Sequence, residues 1–168
     1  MIANIIRVDD ATTYVAKISP DVNKQSIGKL VKIRKEKSII VGVIKNIVHS
    51  VKEELIPYIE PEMQPKYAPF HEDFRNSYYV IHGLGRIIDT EVRHDINSPP
   101  DIGDWVEVLT PDEIKRFHTI NNKPSIAYFH ANRELGKNIL MSIAKQVEEQ
   151  YPECRDMLKL VRKYLERE

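Results

Sequence analysis

The stretch from Ile27 to Val48 leaves this chain little choice but a β-sheet. Between Ile27 and Lys35 apolar and basic side chains alternate, Val31 and Ile33 against Lys32 and Arg34. That is the two-residue period of a strand with one buried face. After the short link Lys35-Glu36-Lys37, the run from Ser38 to Val48 is too continuously apolar for a one-sided strand. It reads as a central strand covered on both faces, bent or closely approached at Gly42. The two segments make a hairpin.

Further strands are expected at Thr12–Ile18, Tyr78–Ile88 and Trp105–Leu109. Between the second and third of the expected long strands, Pro57, Pro61, Pro65 and Pro69 recur every four residues. Prolines at that spacing break helices and ladders alike, so residues 51–77 read as a long Pro-rich insertion. Thr110-Pro111-Asp112-Glu113 starts a short helix reaching about His118, with a Thr cap, Pro in the first turn and Glu three residues on. Asn121-Asn122 is a turn, and Ser125–His130 is expected to be a last short strand.

From Arg133 the period changes. Leu135, Ile139, Ile143 and Val147, supported by Leu140 and Ala144, form the stripe of an amphipathic helix. Tyr151-Pro152 interrupts it, and Met157, Leu158, Val161 and Leu165 form a second stripe. The expected fold class is therefore α+β. A mainly antiparallel β-barrel occupies residues 1–131, and a C-terminal helical hairpin or arm occupies 132–168. Val31, Ile33, Val41, Val43, Val106 and Val108 are expected to face the barrel core. Leu140, Met141 and Tyr164 are left over by the two stripes and are candidates for an interface.

The chemistry-bearing motifs are few. Gly28-Lys29 is not a phosphate-binding loop, because Asn23 stands where the first glycine belongs and Leu30 where the hydroxyl belongs. Gly136-Lys137-Asn138 fails as well. Gly83-Leu84-Gly85 has Ile88 at the third position of a dinucleotide fingerprint, so its glycines are read as room for a crossing backbone or side chain. The histidines at 49, 71, 82, 94, 118 and 130 show no metal-ligand spacing. No catalytic, metal or cofactor residues are assigned. The one cysteine, Cys154, reads as a small buried hydrophobe in a reducing compartment. With no signal-like N-terminus and no apolar run near the roughly 18 residues of a span, a cytoplasmic protein off the membrane is expected.

Lys29, Lys32, Arg34, Lys35 and Lys37 are the densest basic stretch and the candidate nucleic-acid contact. Against it stand Glu36 and a formal net charge of zero, so binding is expected to be weak.

Taken in order, Ile27-Gly28-Lys29-Leu30-Val31, Ile39-Ile40-Val41-Gly42-Val43, Leu84-Gly85-Arg86-Ile87 and Pro99-Pro100-Asp101-Ile102-Gly103-Asp104-Trp105-Val106 carry a resemblance. They resemble the HAS barrel, the β-barrel at the N-terminus of HerA-type DNA-translocating ATPases and of F-type and related ATP synthase subunits. The resemblance covers roughly residues 1–130. The Gly-Asp-x-Val turn is also similar to that of PRC-type barrels. In place of the ATPase core come the helices from Arg133, and the insertion is longer than the family's pattern. The resemblance implies a non-catalytic assembly or adaptor module, with a protein partner or self-association, working with a separate HerA-like ATPase or DNA-processing partner. It supplies no catalytic residues. Two other readings remain open: a nucleic-acid-binding barrel using the 29–37 face, and a small enzyme with a site around His71, Glu72 and Asp73.

Overall fold

Strands β1 (Ala3–Val8), β2 (Thr13–Ile18), β3 (Leu30–Arg34), β4 (Ser38–Val51), β5 (Arg75–Ile88), β6 (Glu91–Arg93) and β7 (Trp105–Val108) pair antiparallel in the order β2-β1-β7-β3-β4-β5-β6. This computed structural model describes residues 1–51 and 75–166. A further β2–β5 pairing, from Thr13↔His82 to Lys17↔Tyr78, closes six of these strands into a barrel and leaves β6 as a short flap on β5. Closure removes the exposed edges that invite unwanted pairing. The long strands take up both ends of the expected insertion, since β4 runs on to Val51 and β5 begins at Arg75. The remainder, 52–74, lies outside the described residues.

Gly42 and Gly83 face each other across β4 and β5 where the register slips at a bulge. A methyl group on Gly42 would stand 2.8 Å from the Ile81 side chain and 2.9 Å from the His82 carbonyl oxygen. On Gly83 it would collide with Ile96 and with the Tyr14 hydroxyl. Both glycines thus allow the close approach that the sequence implied.

Register separates two cores. Val31 and Ile33 point into the barrel with Ile5, Tyr14, Ile40, Ile81 and Val106, and Val108 packs against this group. Val31 pairs with Gly42 while Lys32 pairs with Val41 and Leu30 with Val43. Leu30, Val41 and Val43 therefore face outward, the opposite of the barrel-core placement expected for the last two. They are fully buried all the same, under a layer of helices. A strand covered on both faces is what the unbroken apolar run demanded.

That layer starts at α1 (Pro111–Phe117), whose capping box has both bonds: Glu113 N–H to Thr110 Oγ1 at 3.3 Å and Thr110 N–H to Glu113 Oε2 at 2.9 Å. A tight hairpin of β8 (Thr119–Ile120) and β9 (Lys123–Pro124) follows, turning at Asn121 and Asn122 with φ of 51° and 59°. Such left-handed pairs suit Asn and match the twist of a two-residue hairpin. The strand expected at Ser125–His130 is instead occupied by α2 (Tyr128–Ala131). Tyr128 and Phe129 there are buried against neighbours from several elements, and packing overrides their β preference.

The last two helices are α3 (Lys137–Gln150) and α4 (Arg155–Leu165), with a 3₁₀ turn at Pro152–Cys154 between them. Leu140, Ile143, Ala144, Val147, Leu158 and Leu165 are buried in the outer core. Leu140 is only 2% exposed, so it packs into the outer core and does not stand out on the surface. Gln146 of α3 fastens the layer to the barrel, donating to the Gly28 carbonyl at 2.7 Å and accepting from Leu30 N–H at 3.2 Å. Each fully buried Leu or Ile contributes about 1.5–3 kcal/mol, so the helices are an integral wall of the fold.

Candidate functional site: an apolar groove on the helical layer

The proline break at 152 folds α4 back along α3, and this decides which side chains α4 hides. Leu158 and Leu165 turn inward, and Met157 and Val161 are half-buried against the outer core. Leu160 and Tyr164, four residues apart on one helix face, stay 72% and 47% exposed. Beside them runs a groove of about 590 Å³ between α4 and the segment 124–133. Ile126, Phe129 and Leu140 supply one part of its lining; Met157, Val161 and Leu165 supply another. Tyr164 is held on the rim by Arg133, whose guanidinium donates to the Tyr164 hydroxyl and lies 5.2 Å from the ring centroid. Ser125 and His130 add polar side chains to the lining.

A second cleft, of about 580 Å³, lies at the α3–α4 junction. Met141, the second interface candidate, is half-buried on its wall beside Pro152, and the other lining residues carry charges of both signs. Glu148 takes Arg162 at 2.5 Å and Arg155 at 3.4 Å. Of the three interface candidates, the groove keeps Tyr164, the cleft takes Met141, and Leu140 belongs to the core and groove floor. Leu160 was missed, although its four-residue spacing from Tyr164 signals a shared exposed face.

The basic strand is disarmed by its own counter-ions. Lys32, expected on a solvated face, is 3% exposed beneath α1. Its Nζ donates to both carboxylate oxygens of Glu113 at 2.6 and 2.7 Å and stands 3.6 Å from Glu107. Burial alone would raise the Glu113 carboxyl, but the Lys32 ammonium and the Thr110 cap outweigh it, and the group titrates below its ordinary value. Arg34 donates to Glu107 at 2.9 Å, and that bond lowers the Glu107 carboxyl likewise. Lys35 donates to the Pro99 carbonyl at 2.7 Å and lies 3.1 Å from Asp101. Lys29 is half-buried, and Lys37 is exposed with no ion pair among the described residues. Three of the five, Lys32, Arg34 and Lys35, thus already hold carboxylates of this chain.

Three histidines, His82, His94 and His118, are tied into the packing. His118 is fully buried; its Nδ1–H donates to the Ile114 carbonyl at 2.7 Å, so Nε2 accepts from the Tyr128 hydroxyl at 2.6 Å. His94 packs with ring centroids 4.9 Å from both Phe117 and Tyr128 and donates from Nε2 to the Phe117 carbonyl at 3.1 Å. Burial lowers both imidazoles, His118 to about 4. His82 meets Asn132 Oδ1 at 2.7 Å. Cys154 is buried, and burial raises its thiol. Among the described residues no group of three His, Cys, Asp or Glu is arranged to hold a metal, and no helix is long and apolar enough to cross a membrane. His71, Glu72 and Asp73 lie outside the described residues. No protein-family model matches the chain, and no curated protein is similar to it.

Proposed function

We propose that this chain is a non-catalytic assembly module that associates with a second copy of itself through the α4 groove. The paired barrels would then serve as an adaptor for a separately made partner, of the HerA-like ATPase or DNA-processing class that the HAS-barrel resemblance suggests. The observation that carries the reading is the pairing of knob and hole on one surface. Leu160 and Tyr164 protrude beside a 590 Å³ groove lined by Ile126, Phe129 and Val161. A two-fold arrangement puts each copy's Leu160 into the other's groove, which is the self-complementarity an isologous contact needs. A non-catalytic role is supported by the engagement of His82, His94 and His118 in the packing of the fold and by the burial of the Cys154 thiol.

The groove and its rim comprise 13 residues, fewer than the roughly 20–30 per partner of a standard interface, so the association is expected to be weak, with a Kd of about 1–100 μM. Sedimentation velocity over a concentration series tests it. The expected result is a monomer–dimer equilibrium that Leu160→Glu abolishes without lowering the melting temperature. A protein still monomeric at about 100 μM, where even a contact with a Kd of about 100 μM would be half-formed, refutes the self-assembly reading.

A further inference from the structure

A row of cross-strand neighbours crosses the barrel wall on the side the helices leave bare. Val48 of β4 pairs with Tyr78 of β5, Tyr78 with Lys17 of β2, Lys17 with Asn4 of β1, and Asn4 with Trp105 of β7. Residues directly opposite in adjacent strands share a face. Their chain neighbours Ala3, Ala16, Ile18, Tyr79 and Val106 fill the barrel interior, so these five point outward. Trp105 is 47% exposed and Val48 41%; Lys17 is exposed with no ion pair among the described residues, and Tyr78 is half-buried.

We infer that this row binds single-stranded nucleic acid, with Trp105 and Tyr78 stacking on bases and Lys17 between them meeting the phosphate backbone. Exposed aromatic faces combined with a cation are the sequence-tolerant recognition device for single strands. Trp105 and Tyr78 are three strand spacings apart, about 14 Å at roughly 4.8 Å each, the length of about four stacked nucleotides at 3.4 Å. The row carries no carboxylate. In the next row along, Asn46, Val80, Val15 and Arg7, the one charge is again a cation, which Asp9 partners at 2.7 Å.

The alternative occupant is a protein. Trp is common at protein hot spots, and Ile6 and Ile102 are exposed near the Trp105 end. A dry protein contact would have to bury the unpaired Lys17 ammonium in the middle of the row, which is costly without a matched anion. A phosphate brings that anion with it. This surface lies on the barrel wall and uses no residue of the α4 groove, so it stands or falls independently of self-association.

Trp105 is the chain's one tryptophan, and its emission reports on the row directly. Titration with an oligothymidylate of about 15 nucleotides at low salt is expected to quench it with micromolar affinity. The salt slope should be shallow, about −1 from one or two phosphate contacts at roughly 0.7 each. Lys17→Glu and Tyr78→Ala should each weaken binding at least about fivefold. Lys17→Arg, Lys37→Glu and the groove variant Leu160→Glu should bind as the parent does. Duplex DNA of the same length, its bases already stacked, should quench far less. The inference is overturned by absence of quenching at any oligonucleotide concentration tested, or by quenching that Lys17→Glu and Tyr78→Ala leave unchanged. Duplex binding as tight as single-strand binding also overturns it. Trp105 quenching that appears on raising the protein concentration alone would reassign the row to a protein contact.

Discussion

Acid should loosen this fold through one imidazole, and the size of the effect can be worked out. His118 sits between α1 and α2 with no exposed surface, its Nδ1–H donating to the Ile114 carbonyl and its Nε2 accepting a hydrogen bond from the Tyr128 hydroxyl. A second proton on Nε2 would meet the Tyr128 O–H head-on. The groups packed around it are the Phe117 and Tyr128 rings and the His94 imidazole, and none is an anion that would welcome the charge. Burial, with a smaller push from His94, holds its folded value down at about 4, against an unfolded value of about 6.5. Above that unfolded value both states are neutral and stability is flat. As pH falls toward 4 the unfolded chain takes a proton that the native chain refuses, so stability is lost over that window. The loss is about 2 kcal/mol by pH 5 and about 3 kcal/mol below pH 4. For a chain of this size 2 kcal/mol is about 4–8 °C in melting temperature. Urea unfolding at pH 8 and pH 5 measures it for the parent and for His118→Gln, which hydrogen-bonds without titrating. The variant should be weaker at pH 8 yet lose about 2 kcal/mol less on acidification. If the two proteins show the same pH dependence, His118 is not held neutral by the packing and the account of the α1–α2 seam is wrong.

Two further outcomes follow from the helical layer. Lys32→Ala leaves Glu113 and Glu107 partly buried with a cation removed, and should cost about 3 kcal/mol in urea unfolding, since breaking a buried pair costs about 3–5 and Glu113 keeps some solvent contact; the double change Lys32→Met with Glu113→Gln should recover most of it, and a single-variant loss below about 1 kcal/mol would show the pair to be a surface one. Ending the chain after Asn132 strips Ile143, Val147 and Leu158 from over Leu30, Val41 and Val43, so the shortened barrel should bind a hydrophobic dye and lose its near-ultraviolet circular dichroism; a sharp, native-like transition would refute the claim that the outer core is obligatory.

The sequence by itself determined the elements whose signals are local. Alternation at Val31–Arg34, the unbroken run to Val48, the Thr110–Glu113 cap and the proline stop at 152 all act within a few residues, through strand pleat, capping and the missing N–H. They suffice for an α+β chain with an antiparallel barrel and trailing helices. Which face meets what is not a local property. Lys32 looks like any outward strand lysine until α1 brings Glu113, 81 residues away, to its ammonium and closes it off. Val41 and Val43 have the pattern of barrel-core residues, and only the Lys32↔Val41 register turns them outward under α3 and α4. Leu140 and Leu160 are equally apolar in sequence. The fold-back at Pro152 buries the first and leaves the second on the groove rim. The row from Val48 to Trp105 draws on five positions spread over about a hundred residues, aligned only by the register of four strand pairings. Short-range patterning sets what a segment becomes; burial, ion pairing and shared surfaces arise from contacts distant in sequence, and those exist only once the barrel closes.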